Sequence, residues 1–183
     1  MHDAEAIRRL KRGEIEGLEL LVTRYQVPAV RSAFLITQDE ALAEDVVQET
    51  FVRLFKRIHS FDEARPFEPY LLRSVVNAAL TAVKKTGREV RLEDGDGQVE
   101  RLMDQVVSVE AQAESHDLEE QLLAAIAGLP PRQRAVIVQR YYLEMSESEM
   151  AQALDAPPGT VKWLLNAART RLRNLLGSER SGK

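Results

Sequence analysis

Residues 129–176, LPPRQRAVIVQRYYLEMSESEMAQALDAPPGTVKWLLNAARTRLRNLL, constrain this chain more than any other stretch. Their pattern predicts a helix, a short helix, a tight turn and a long helix that opens at PPGTVK. Across Glu147–Leu154 the apolar residues Met150, Ala151 and Leu154 have the spacing of one helical face. Asp155-Ala156-Pro157 then ends that helix, because the residue before a proline is pushed out of the α region. Pro158 suits the first position of the next helix, where a missing N–H costs nothing. Two helices joined by so short a turn form a helix-turn-helix, whose second helix enters the major groove of DNA.

Projected at 100° per residue, the second helix divides into two sides. Val161, Leu165, Ala168, Leu172, Leu175 and Leu176 fall on one, with Leu164 at its margin. Lys162, Trp163, Asn166, Thr170 and Arg173 fall on the other, where they can donate to phosphates and base edges. Free backbone N–H groups at Gly159 and Thr160, in the first turn, suit a phosphate as well. An ordinary amphipathic surface helix is the alternative, against which the preceding short helix and the proline turn both argue.

The blocks LPPRQRAVIVQRYY, SESEMAQAL, PPGTVK and ARTRLRNLL, in that order and spacing, closely resemble the C-terminal domain, domain four, of bacterial sigma factors. The resemblance implies a helix-turn-helix that reads the minus-thirty-five promoter element. Its expected DNA-binding residues are Gly159, Thr160, Lys162, Trp163, Asn166, Thr170 and Arg173.

The N-terminal part is helical too. Leu18, Leu21, Val22, Tyr25, Val30, Ala33 and Phe34 recur at helical spacing over Ile15–Thr37, with a bend expected at Pro28. Asp39 can cap a helix running to about Ile58. In it Ala43, Val47, Phe51, Leu54 and Ile58 form the buried stripe, and Asp45, Gln48, Glu49, Val52 and Lys56 the opposite one. A third helix, from about Pro66 to Lys85, buries Leu71 or Leu72, Val75, Val76, Leu80 and Val83. Three to four antiparallel helices on one core give a domain of roughly 85 residues, about the minimum that folds comfortably unaided.

Within these helices, ALAEDVVQETFVRLFKRI resembles the sigma domain-two segment that docks on core RNA polymerase, through Ala43, Glu44, Asp45, Gln48, Glu49, Phe51 and Leu54. The implied polymerase-binding residues are Asp45, Gln48, Glu49 and Val52; a plain solvated face is the other reading. FDEARPFEPYLLRSVVNAALTAVKK is similar to the family's promoter-melting and minus-ten-reading segment. The implied DNA-binding residues there are Phe61, Phe67, Tyr70, Arg73, Asn77, Lys84 and Lys85. Aromatic rings beside cations suit single-stranded DNA, each stacked base contributing about 1–3 kcal/mol. A flipped-out base would be caught in the loop from His59 to Pro66. Phe61 and Phe67 are alternatively core residues.

Charge locates the junction. The chain carries a net −4, but residues 86–117 alone hold 3 basic and 9 acidic side chains, net −6. That segment, with EDGDG near its start, reads either as a tether extended by charge repulsion or as more than one, given Val90, Leu92, Leu102, Met103, Val106, Val107 and Val109. In the family the equivalent linker runs through the polymerase along the path later taken by RNA, which the acidity would mimic.

The expected fold class is therefore all-α, with two small helical domains joined by an acidic linker. The boundaries read as 1–86 for sigma domain two, 87–115 for the linker, 116–177 for domain four and 178–183 for a tail. Domain two joined directly to domain four is the layout of the extracytoplasmic-function (ECF) group. The resemblance implies core RNA polymerase, promoter DNA (duplex and melted strand) and an anti-sigma factor as partners, in the cytoplasm.

Composition sets the exclusions. There is no cysteine for disulfides or thiolate metal sites. No apolar run approaches the ~20 residues that span a bilayer, and the N-terminus lacks a signal peptide's apolar stretch, so neither membrane nor export is expected. His2, His59 and His116 are scattered, and no nucleophile–base pair or metal-ligand spacing is present. EDGDG lacks the pattern of a calcium loop. Neither catalysis nor a cofactor is expected.

The chain departs from the sigma pattern in places. Tyr70 stands where tryptophan is usual and Thr81 where aspartate is common. In the recognition helix, Trp163, Leu164 and Ala167 replace small or basic residues, and lost cations would mean fewer phosphate contacts. Two alternatives stay open: a sigma-like adaptor with lost or altered promoter reading, motivated by Leu164 and Ala167, and a free-standing regulator with a LuxR-like helix-turn-helix, which the N-terminal block argues against.

Overall fold

A computed structural model describes the backbone of residues 3–86 and 114–180, and side chains within 3–86 and 121–176. Every regular element among the described residues is helical. The chain divides into two compact units, Met1–Ala82 and Val83–Lys183. The expected linker falls almost wholly outside the described residues.

The first unit opens with helix α1 (Asp3–Lys11), which the sequence pattern did not predict. It is short, but Ala6, Ile7 and Leu10 are all buried. Helix α2 (Glu16–Thr37) packs against it. Gly17 makes that approach feasible, since a Cβ there would lie 2.4 Å from the Ala6 carbonyl oxygen. The two helices are also tied by Asp3, which accepts from the Tyr25 hydroxyl and from Arg24. Burial, and then the Asp3 carboxylate, push the Tyr25 phenol up to about 12. Helix α2 continues unbroken through Pro28, and Ser32 Oγ donates to the Pro28 carbonyl at 2.8 Å.

Helix α3 (Glu40–Lys56) begins as its cap predicts: Asp39 Oδ1 accepts from the Leu42 N–H at 3.1 Å. The expected stripe of Ala43, Val47, Phe51, Leu54 and Ile58 is buried, joined by Val46 and Thr50. Burying each large apolar side chain of this kind contributes about 1.5–3 kcal/mol. A short 3-10 turn (Ile58–Ser60) and an exposed loop lead to helix α4 (Phe67–Lys85), which buries Leu71, Leu72, Val75, Val76, Ala79 and Val83. Leu80 is only half-buried.

In the second unit helix α5 (Glu114–Ala127) starts two residues ahead of the expected domain start. Arg134 fixes the corner after it, donating from Nη1 to the carbonyls of Ala127 and Leu129 at 3.2 and 2.6 Å. Its burial lowers the guanidinium pKa to about 10. Helix α6 (Pro131–Ile137) runs directly into a π turn at Val138–Tyr142, closed by the Leu143 N–H to Val138 carbonyl bond at 3.0 Å. Helix α7 (Glu147–Leu154) has a complete capping box: the Glu149 N–H donates to Ser146 Oγ, and the Ser146 N–H donates to the Glu149 carboxylate. Asp155 ends it in the left-handed region at φ 47°, and helix α8 (Pro158–Arg180) comes next, reaching into the expected tail. Helices α5, α6 and α7 all pack on α8.

Candidate nucleic-acid and protein interfaces

Helix α8 presents one side of its first two turns outward. Gly159, Lys162 and Trp163 are exposed, while Thr160 and Asn166 are half-buried. Trp163 keeps 42% of its surface. Gly159 has no positive φ, and a Cβ built on it would meet nothing within 4 Å. Neither strain nor crowding therefore requires glycine at this position, and its bare backbone is open to close approach.

Three expectations for this helix need correction. The Thr160 N–H is not free, because it donates to the Pro157 carbonyl at 2.9 Å, the proline turn having folded that carbonyl over the first turn. Thr170 and Arg173 do not stand out on the solvent side. Both are half-buried, and Thr170 Oγ1 with Arg173 Nε and Nη2 are fully covered without a hydrogen-bond partner among the described residues. A projection assumes one packed side, whereas three helices lie on α8, so its second half is covered over a wider arc. For the same reason Leu164 and Ala167 are core residues, 4% and 1% exposed, and not surface positions that have lost cations. The outer face narrows to Gly159, Lys162, Trp163 and Asn166.

On α3 the outer stripe is as expected. Asp45, Gln48, Glu49 and Val52 are all exposed, Val52 at 49%. Glu49 pairs with Arg53 at 2.9 Å in an exposed i,i+4 bridge, a contact that contributes about 0.3–0.5 kcal/mol. Phe55, 37% exposed, extends the stripe, and sequence reading missed it. The signal was available: Gln48, Val52 and Phe55 have i, i+4, i+7 spacing.

The aromatic surface expected before α4 is different. Phe61 and Phe67 are 7% and 3% exposed, their rings edge-to-face at 5.7 Å between centroids and 78° between planes. Tyr25 closes on Phe67 from α2 at 5.8 Å. The Lys11 ammonium pins the loop from the other side, donating to the Phe61 carbonyl at 2.9 Å and to Glu63 at 2.8 Å. Packing of this kind gains about 0.5–1.5 kcal/mol per aromatic pair beyond burial, and it leaves neither phenyl face available to a base. Only Tyr70, 4.9 Å from Phe61, is partly exposed within this cluster. Tyr70, Arg73, Asn77 and Lys84 share one side of α4 at helical spacing. Arg73 and Asn77 are half-buried, and Lys84 and Lys85 are exposed.

No helix among the described residues is long and apolar enough to cross a membrane.

Comparison with known proteins finds two family regions in the chain. The family description sigma-70 region 2 matches residues 21–89, and sigma-70 region 4 matches residues 119–172. The chain is 33% identical to an RNA polymerase sigma-E factor of Streptomyces avermitilis over 166 residues, covering 91% of this chain and 88% of that protein. It is 28% identical to the ECF RNA polymerase sigma factor SigW of Bacillus subtilis, covering 93% and 94%. Among solved structures, CnrH in complex with the cytosolic domain of CnrY shares the fold with a TM-score of 0.64 at 23% identity, covering 97% of this chain and 98% of that one. RpoE of Bartonella quintana, solved with the anti-sigma factor NepR, does so with a TM-score of 0.62 at 19% identity, covering 88% and 98%. Two such regions in one chain define a transcription-initiation factor of the sigma type. The chain belongs to the sigma-70 family of RNA polymerase sigma factors, in its ECF group.

Proposed function

We propose that the two units divide promoter-directed initiation between them, with residues 1–86 and 116–177 as the working domains. The first unit docks core RNA polymerase through Asp45, Gln48, Glu49, Val52 and the adjoining Phe55. An acidic stripe with apolar side chains inside it suits a basic helical partner. Helix α4 contacts the melted minus-ten strand through Tyr70, Arg73, Asn77, Lys84 and Lys85. Phe61 and Phe67 support that surface from beneath. The second unit places the start of α8 in the major groove of the minus-thirty-five element, with Gly159, Lys162, Trp163 and Asn166 facing DNA.

The observation that carries this reading is the outer face of α8. In a helix-turn-helix whose Leu164, Leu165, Ala167 and Ala168 are all buried, the groups left outside in the first two turns can reach a groove. Burial of Leu164 and Ala167 removes the reason for an adaptor reading. The chain supplies recognition, and the polymerase supplies the chemistry. It acts in the cytoplasm, and an anti-sigma factor binds it, as NepR is found bound to RpoE of Bartonella quintana. The test is in vitro transcription by purified core polymerase with the full chain on a library of genomic promoter fragments. A discrete set of start sites, absent with core alone, is expected; indiscriminate or absent initiation would overturn the reading.

A further inference from the structure

Resting on that reading, we infer that Trp163 is a specificity-determining residue that packs its indole on the 5-methyl group of a thymine in the upstream promoter element. The indole stands one turn after Gly159 on the same outer face, in the first two turns of the helix. Residues at the N-terminal end of a recognition helix are those that meet base edges. Trp163 keeps 42% of its surface exposed, whereas Val161, Leu164, Leu165, Ala167 and Ala168 of the same helix are buried. Its flank is polar, with Lys162 exposed on one side and Asn166 one turn on. Lys162 is placed to meet a phosphate, which would hold the helix in register while carrying no sequence information.

The chemistry then selects the partner. An indole offers a broad apolar face and a single N–H donor. In the major groove the only apolar group on any base edge is the thymine methyl. A large apolar ring on a groove-facing surface is favourable where it covers that methyl, and unfavourable over the acceptors of guanine. Neighbouring Asn166 has the bidentate geometry for adenine, so Trp163 and Asn166 together suit adjacent A·T pairs.

The test uses holoenzyme of core polymerase with the full chain on a promoter from the library. Each thymine of the upstream element is replaced singly by deoxyuridine, which removes only the methyl. One position is expected to lose about three- to fivefold in affinity, the effect of burying one methyl group. Trp163→Ala should bind the thymine promoter more weakly and show no thymine–deoxyuridine difference there, while Trp163→Phe should retain part of it. Helicity by circular dichroism checks that both variants fold. Equal affinity for thymine and deoxyuridine at every position, with initiation intact, overturns this assignment alone. Loss of core affinity by Trp163→Ala without DNA would give the indole to the polymerase and overturn it too. Failure of the wild-type chain to initiate anywhere sinks both this inference and the reading beneath it.

Discussion

Arg169 Nε donates to the Tyr141 hydroxyl at 2.9 Å, and the same guanidinium lies 5.9 Å from the Tyr141 ring centroid. The two residues are 28 positions apart, one at the π turn and one in the middle of α8. The contact therefore fixes the recognition helix against the segment that precedes the helix-turn-helix. π turns insert an extra residue into a helix, which re-aims the side chains beyond the insertion. Here Tyr141, within the π turn, meets Arg169 of α8, and we propose that this contact helps to orient the outer face of that helix.

Replacing Tyr141 by Phe removes the hydroxyl and keeps the ring. The expected loss is about 0.5–1.5 kcal/mol of stability in the second unit, the range for one hydrogen bond. Promoter affinity should fall further than that where the contact orients the helix as well as stabilising it. Chemical denaturation and promoter-binding titration of the same variant check the two effects. Promoter affinity unchanged while stability falls would show that the contact holds the fold only.

On α3 the residues proposed to meet polymerase are exposed and contribute little to folding. Asp45→Lys with Glu49→Lys breaks only the exposed Glu49–Arg53 bridge, so stability should change by less than about 0.5 kcal/mol. Affinity for core polymerase should drop at least tenfold, with Phe55→Ala weakening it separately. Circular dichroism and a pull-down with purified core enzyme provide the readouts. Unchanged capture of core by the double variant would remove the interface assignment.

The legible parts were those where a local rule and the tertiary packing agree. Asp39 caps α3, the alternation of Ala43, Val47, Phe51 and Leu54 marks its buried side, and Ala156-Pro157 places the turn before α8. Helix α1 was not legible, because nine residues with four apolar positions, three of them buried, give too little periodicity, and its stability comes from meeting Gly17. The π turn was hidden because one inserted residue leaves no compositional trace. Phe61 and Phe67 show a deeper limit. An aromatic ring suits a base-stacking surface and a core equally well, and only the arrival of Tyr25 and Lys11 from elsewhere in the chain decides between them.

That decision has a consequence for mutagenesis. Phe67→Ala should cost about 3–5 kcal/mol of stability, the range for emptying a buried phenyl site. It would then impair initiation by unfolding the first unit. Tyr70→Ala, at a half-buried position, should leave the unit folded and slow open-complex formation. Thermal denaturation beside a promoter-melting assay separates the two. A stable Phe67→Ala with a pure melting defect would return that ring to the DNA surface.

Alkaline stability tests the burial of the Tyr25 phenol and, after it, the Asp3 contact. The phenol titrates near 12 in the folded unit and about 10 when unfolded, so the folded state favours its protonated form. The resulting stabilisation is complete below pH 10 and disappears as pH rises towards 12. Tyr25→Phe should be less stable at neutral pH and lose less between pH 10 and 12 than the wild type. Parallel denaturation curves with identical pH slopes would mean that the hydroxyl is not linked to folding.

The last test separates positioning from reading on α8. Lys162 is exposed beside the first turn, and a lysine there contributes a point charge to a phosphate without regard to sequence. Lys162→Ala should weaken all promoters alike and reduce the salt dependence of binding by about one phosphate contact. Asn166 has the side-chain amide that can pair with an adenine edge, so Asn166→Ala should relax preference at one or two base pairs, by about 1–3 kcal/mol each. Its salt dependence should stay at the wild-type slope, because no charge is removed. Promoter affinities measured over a salt series with single base-pair changes resolve both. If Asn166→Ala flattened the salt slope and left base preference intact, the helix would be seated differently, with Asn166 on the backbone and base reading carried elsewhere.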